Sequence, residues 1–555
     1  MRAADLLVRT LSDAGVEKIF SLSGNQIMSV YDALIGSGID LIHVRHEAAA
    51  VHMADAWGRL AGAPGVALVT AGPGFANALS AMYVAQVSES PVVVLSGNAR
   101  LRELGRGAMQ EMPQSDMAGP VTKESWTATE ASNLGHDLAR AFRIATSGRP
   151  GPVHIALPED LLIAEVVDGG AASPGPDDFR TADQGLDDAV AGRILDALTG
   201  ALRPLILGGP AMTRGAASET LRALSDTTGV PAVASDSPRG INDPSLGAFA
   251  EVLAEADVVL LLGKRLDFTL SFGKAPELNP DCAFLQVDAE PRVLEQTERN
   301  LGRPARLAVA AVAGPVEAAD RMIELAEGQG RSNSGWAAEV EAAIAFRPPE
   351  WSEISSPPRS PIHGIEVAHA VQQVLDGRPD SVYIADGGEF GQWVQAGLSA
   401  PVRLLNGPAG AIGAGIPFAL AARLAYPDSA IVTHVGDGTF GFHAMEFDTA
   451  VRYDLPFVAV VGNDAAWNAE YQLQLREFGE DRVSETELLP TRYDRVAESL
   501  GGHGEHVTSA KELRPAIERA IASGRPACVN VALARVPAPR VRRRSTATDH
   551  GSAAR

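Results

Sequence analysis

Two acidic side chains in this chain are spaced for joint work. Residues 430–435 read as a buried strand that runs into Gly436-Asp437-Gly438. A helical stretch follows, and a second strand over 457–461 runs into Gly462-Asn463-Asp464. Asp437 and Asp464, 27 residues apart, then stand at the carboxyl ends of two neighbouring parallel strands, where open α/β sheets bind ligands. Carboxylate oxygens at such a place suit Mg²⁺, which reserves part of its coordination sphere for phosphate oxygens. The flanking glycines let backbone come close to a diphosphate. Gly-Asp-Gly alone is also a common turn; the strand context and the spacing to the second acidic end strengthen the reading.

A third carboxylate opens a helix near the start of the chain. A strand-like 41–44 leads into Arg45-His46-Glu47, and the apolar pattern continues to residue 60. A glutamate in a first helical turn is also what interaction with the helix dipole places there. Thr70-Ala71-Gly72-Pro73-Gly74-Phe75-Ala76-Asn77 then joins a strand to a helix through a glycine turn, and 407–415, Gly-Pro-Ala-Gly-Ala-Ile-Gly-Ala-Gly, forms a second flexible loop or a glycine-rich packing face.

These groups need parallel strands to carry them, and the chain reads that way throughout. Apolar runs at 66–70, 91–96 and 153–157 alternate with helical stretches at 47–60 and 76–86. Further strand sets fall at 203–207, 230–234, 258–262 and 284–287, and at 382–385, 430–435, 457–461 and 527–531. Polar, Pro- and Gly-rich stretches at 168–188 and 328–363 separate the sets. The expected class is α/β: three doubly wound parallel-sheet domains over 1–167, 185–330 and 360–535, each of single-domain size. A tail, 536–555, carries Arg540, Arg542, Arg543 and Arg544; it reads as a frayed end or as a lid over an anionic ligand.

Composition excludes other classes. A net charge of −22 argues against nucleic acid and anionic membranes as partners. Two cysteines, Cys282 and Cys528, rule out a disulfide scaffold and any Cys-x-x-Cys metal site. No run of about 18 apolar residues and no leader-like start is present, so a cytoplasmic protein is expected. The 55 glycines and 36 prolines suit tight α/β turns better than a helical bundle.

Taken together, these stretches resemble the thiamine-diphosphate enzymes of the acetolactate-synthase-like superfamily, over nearly all of residues 1–535. The resemblance implies pyrimidine-binding, central and diphosphate-binding domains in that order. It implies thiamine diphosphate and Mg²⁺ as cofactors, with Asp437, Asp464 and the carbonyl of Ala466 as metal ligands and Gly436, Gly438 and Asn463 around the diphosphate. Asp464 stands where the family usually has asparagine, which adds a negative charge beside a diphosphate. Glu47 takes the place of the family's glutamate, which shares a proton with the aminopyrimidine. Gly72 and Asn77 belong to the loop packing on the cofactor, Gln110 faces it, Ile412 bends it into a V, and the carbonyl of Gly410 holds its amino group. Because the pyrimidine and diphosphate halves lie in different domains, the family shares each cofactor between two chains; a homodimer is implied at minimum, and a tetramer is common.

Residues 263–273, Gly-Lys-Arg-Leu-Asp-Phe-Thr-Leu-Ser-Phe-Gly, are closer to 2-hydroxyacyl-CoA lyases and oxalyl-CoA decarboxylases than to acetolactate synthases. That implies cleavage of a 2-hydroxyacyl-CoA to an aldehyde or ketone plus formyl-CoA. The alternative is an acetolactate-synthase-type or other 2-oxoacid decarboxylase or carboligase acting on pyruvate-like acids. A catalytically silent subunit is disfavoured by Glu47, Asp437 and Ile412 occurring together. Trp467 and Tyr471, four apart, and Arg403 are candidate substrate contacts, against the plainer readings of core aromatics and a solvated arginine. Gly208, Gly209, Arg265 and Asp288 in the central domain could hold ADP or FAD, against the plainer reading of a structural domain.

Overall fold

The computed structural model describes residues 1–167, 173–182, 184–327 and 334–543. Three sheets form, each wholly parallel. The first holds β1 (Lys18–Ser21), β2 (Asp40–His43), β3 (Gly65–Val69), β4 (Val92–Asn98), β5 (Glu124–Thr127) and β6 (Pro152–Pro158) in the order β2-β1-β3-β4-β6-β5. The second holds β7 (Pro204–Gly208), β8 (Ala232–Ala234), β9 (Val258–Leu262), β10 (Ala283–Asp288) and β11 (Leu307–Val312) in the order β11-β10-β9-β7-β8. The third holds β12 (Val382–Asp386), β13 (Val402–Leu405), β14 (Ile431–Gly436), β15 (Val458–Asn463), β16 (His503–Val507) and β17 (Ala527–Ala532) in the order β13-β12-β14-β15-β17-β16. Central strands such as Val92–Asn98 are buried along their whole length, as parallel strands covered by helices on both faces must be.

The expected strands are present, with five more: β1, β5, β11, β13 and β16. The last four are sheet edges. Two of these, Glu124-Ser125-Trp126-Thr127 and His503-Gly504-Glu505-His506-Val507, carry polar side chains and so lack the apolar run that marks a buried strand, whereas β11, Leu-Ala-Val-Ala-Ala-Val, has such a run and went unassigned.

Two helices join the first and third units. Glu47–Leu60 lies against Gly415–Ala425, and one apolar core runs through both, from Ala49, Ala50 and Met53 to Phe418 and Ala421. Alanines on the facing surfaces let the helices come close. At the far end Arg59 pairs with Asp55 at 2.6 Å and donates to the Leu405 carbonyl at 2.9 Å, all buried. Truncating Phe418 in this core would cost about 3–5 kcal/mol. After β17 the chain turns onto the central unit, where Arg543 donates to Glu251 and Glu339 at 2.7 Å each. Residues 544–555, including Arg544, lie outside the described residues, as do parts of the two polar stretches. No described helix is long and apolar enough to cross a membrane.

Candidate active site

β14 and β15 are neighbours in register, Gly436 opposite Gly462. Their ends therefore bring Asp437 and Asp464 to one cavity of about 210 Å³, lined also by Gly410, Ile412, Gly436, Gly438, Ala466 and Trp467. Gly438 is required by contact: a methyl group there would stand 2.6 Å from the Trp467 ring. Gly410 has φ +65°, which glycine adopts without strain.

The carboxylates fit a cation. Asp437 Oδ1 accepts from the Gly438 amide at 3.0 Å, whereas Oδ2 is buried without a hydrogen-bond partner. Burial lifts the Asp437 carboxyl to about 6; burial and then the neighbouring Asp437 lift Asp464 to about 7. A divalent ion between them would relieve both penalties. No group of three or more His, Cys, Asp or Glu side chains among the described residues could hold a metal. The ion would complete its sphere with the Ala466 carbonyl, phosphate oxygens and water. Asn463 is used differently: its amide donates to the Thr491 carbonyl at 2.8 Å and to Asn530 at 3.1 Å, bracing the loop from behind, and it does not line the cavity.

Glu47 begins its helix and is buried. Asn77 donates to its Oε2 at 3.0 Å. Gly74 makes room for it: a methyl at 74 would lie 2.9 Å from Glu47 Oε1 and 2.5 Å from the Thr70 methyl. Thr70 donates to Gln26 at 2.9 Å, and Gln26 in turn donates to Gln110 at 2.9 Å. Gly72, at φ +58°, lies under Gln110 and donates its amide to Gln114 at 2.8 Å. Glu47, Gly72, Asn77 and Gln110 thus form one cluster. No first-domain residue lines the Asp437 cavity among the described residues.

The substrate candidates separate. Trp467 lines the cavity, but Tyr471 does not; it lies beneath the Arg535 guanidinium, 4.7 Å from ring centre to carbon. Four-residue helical spacing does not apply to this pair, because Trp467 precedes the helix Asn468–Phe478 with ψ 73°. Arg403 sits on β13 and donates to Ser245 at 2.8 Å and Asp236 at 3.3 Å, at the junction of the units and away from this cavity. A second cavity of about 1330 Å³ adjoins the first, sharing Arg239, Glu389 and Glu470, and is lined farther out by Arg476, Arg540 and Arg542. Gly208, Gly209, Arg265 and Asp288 gather at the strand ends of the central sheet, where Asp288 pairs with Arg149 and caps the Glu290 amide at 3.0 Å.

Several residues went unread in the sequence. Asp386, at the end of β12, accepts the Gly413 and Gly415 amides at 2.9 and 2.7 Å and so holds the Ile412 loop; its other oxygen is buried without a partner, and burial lifts the group to about 7. Asn406 ties the same loop through the Ala411 carbonyl at 2.7 Å, and His443 through that of Gly413 at 2.7 Å. Arg535 donates to the Asp464 and Ala465 carbonyls, both at 3.1 Å, and clamps the loop after Asp464 where Ala465 has φ 55°. Asp386-Gly387-Gly388 ends a strand as Gly436-Asp437-Gly438 does, a signal that could have been read.

Three family models match: the thiamine pyrophosphate enzyme N-terminal TPP binding domain over residues 1–117, the central domain over 191–314 and the C-terminal TPP binding domain over 386–531. The acetolactate synthase large subunit of Mycobacterium tuberculosis is 35% identical over 544 residues, 96% of this chain and 95% of its own. Human 2-hydroxyacyl-CoA lyase 2 is 31% identical over 576 residues, covering 94% and 88%. The 2-hydroxyacyl-CoA lyase of Oryza sativa is 27% identical, covering 94% of each.

Proposed function

The chain belongs to the thiamine pyrophosphate enzymes, and within that family we propose that it is a carbon–carbon lyase acting on 2-hydroxyacyl-CoA thioesters, releasing an aldehyde or ketone and formyl-CoA. The observation that carries this reading is the 1330 Å³ cavity opening from the Asp437 cavity. Drug-sized ligands fill roughly 300–1,000 Å³, and a coenzyme A thioester needs a volume of that order, whereas a free 2-oxoacid needs only a small part of it. Guanidinium groups of Arg239, Arg476 and Arg540 line it and suit phosphates.

In this reading Asp437, Asp464 and the Ala466 carbonyl hold Mg²⁺, and Gly436 and Gly438 admit the diphosphate. Thiamine diphosphate, when bound, supplies the electron sink for breaking the carbon–carbon bond. Glu47, fixed by Asn77, holds the proton shared with the aminopyrimidine ring. Ile412, on a loop anchored by Asp386 and Asn406, supports the bent cofactor, and Gln110, held by Gln26, faces the reacting end. In this reading Glu47 meets the Asp437 cavity from a second copy of the chain, as family resemblance implies, with the homodimer as the minimum active unit; the absence of first-domain residues from the lining of that cavity among the described residues supports it.

A second reading, an acetolactate-synthase-type enzyme on pyruvate, is favoured by the 35% identity to the mycobacterial protein of that name. A thermal-shift titration of the thiamine-diphosphate- and Mg²⁺-loaded protein separates them, because a ligand of the native state raises Tm by mass action. The lyase reading expects coenzyme A to raise Tm at submillimolar concentration; no shift at millimolar coenzyme A, with a shift on pyruvate, overturns it.

A further inference from the structure

The strand ends of the central sheet are where a nucleotide would sit. β7 runs into Gly208-Gly209, β9 into Gly263-Lys264-Arg265, and β10 ends in Asp288. This corner is already filled by a side chain of the first domain. Glu89 follows the helix Pro73–Val87 and reaches across the domain junction. Its Oε2 accepts from the Ala211 amide, in the turn after β7, at 3.0 Å. Its Oε1 pairs with Arg149, and the other amino group of Arg149 pairs with Asp288. The three side chains are at most 5% exposed. A methyl group on Gly209 would come within 3.4 Å of Glu89 Oε2, so the carboxylate lies against the glycine turn itself. Glu89 holds φ 54°, a conformation unfavourable for a side-chain-bearing residue, and Arg214 donates to its carbonyl from the central domain.

A nucleotide at this place would use the turn amide and a cation for its diphosphate and an acidic end for its ribose. Ala211, Arg149 and Asp288 are those groups, and each is engaged by another residue. An incoming phosphate would meet the buried Glu89 carboxylate, and displacing Glu89 would leave it without its amide or its cation. The cavity of about 640 Å³ beside it is lined by Arg59, Arg214 and Arg403, but these bond to Asp55, to the Ser88 and Glu89 carbonyls, and to Asp236. Although Arg265 Nε, after β9, is buried without a partner, the turn amide and Arg149 are taken, so the residues present do not fit the diphosphate of ADP or FAD. We propose that Glu89 is a built-in substitute for the nucleotide phosphate, so that the central domain is locked to the first domain by a carboxylate and binds neither ADP nor FAD.

Equilibrium dialysis of the full-length, thiamine-diphosphate-loaded protein against ADP and against FAD tests this without reference to turnover. The wild-type chain is expected to show no saturable binding of either up to millimolar ligand. Glu89→Ala, which frees the Ala211 amide and Arg149, is expected to bind ADP at least about tenfold more tightly than wild type. Glu89→Gln, which keeps the amide's acceptor but loses the charge, is expected to fall between. Stoichiometric ADP or FAD on the wild-type protein overturns the proposal. So does a folded Glu89→Ala, with its thermal melt intact, that binds ADP no better than wild type. If neither variant folds, wild-type dialysis decides alone: binding overturns the proposal, and its absence upholds it.

Discussion

The Asn77 amide donates to the Glu47 carboxylate at 3.0 Å, across a gap that only a glycine at 74 leaves open. Asn77 fixes which Glu47 oxygen faces away from the helix, and so which one is presented to a ligand. Glu47→Gln is expected to leave the melting temperature within a few degrees of wild type and to lower kcat about 10²-fold or more, the usual weight of a positioned proton-transfer group. Asn77→Ala is expected to cost less, about tenfold, with KM for substrate little changed. Steady-state kinetics on both variants checks this; near-wild-type turnover by Glu47→Gln would remove Glu47 from the chemistry.

If the paired aspartates hold Mg²⁺ as proposed, metal binding should be pH-dependent. Burial lifts the Asp437 carboxyl to about 6, and burial followed by the charge of Asp437 lifts Asp464 to about 7, and a metal binds only their ionised forms. Mg²⁺ affinity should therefore fall as pH drops from 8 to 5.5. Asp464→Asn removes the carboxyl lifted furthest, so its affinity should hold to lower pH. The same substitution gives a stability sign. A carboxyl raised in the folded state loses stability as pH rises through its folded value. In the metal-free protein the Tm of Asp464→Asn relative to wild type should therefore be higher at pH 8 than at pH 5. Mg²⁺ titrations and melts at the two pH values measure both.

Arg535 donates to the consecutive carbonyls of Asp464 and Ala465 and stacks on Tyr471. Arg535→Ala should raise the Mg²⁺ concentration for half-activation about tenfold or more, with kcat largely recovered at saturating metal. A loss of kcat that saturating Mg²⁺ does not restore would point to another role.

If each cofactor lies between two chains, Glu47→Gln and Asp437→Asn damage different halves of one site. Either variant alone should be inactive. Co-refolded in equal amounts, half the dimers are mixed, and each mixed dimer has one intact site, so about a quarter of wild-type activity should return. No recovery, with mixed dimers present by native mass spectrometry, would place both halves in one chain.

Much of this was legible in the sequence because the site is built at strand ends, and strand ends are punctuated. Gly436-Asp437-Gly438 and Asp464 could be placed from apolar runs and glycines alone, and Glu47 from the start of a helix. The supports were harder to read. Asn77 reaches Glu47 from another helix, Gln26 reaches Gln110 over 84 residues, and Arg535 reaches Asp464 over 71. Such contacts follow from tertiary packing, which leaves no local pattern. Trp467 and Tyr471 show the converse: their four-residue spacing looks helical, but Trp467 stands one residue before the helix begins.

The most direct test of the account is product analysis. Protein loaded with thiamine diphosphate and Mg²⁺ is incubated with a 2-hydroxyacyl-CoA, and separately with pyruvate, and the products are resolved by chromatography and mass spectrometry. Formyl-CoA and the matching aldehyde or ketone are expected in equal amounts from the thioester, lost in Glu47→Gln, with no acetolactate from pyruvate. Acetolactate from pyruvate with the thioester untouched would contradict it.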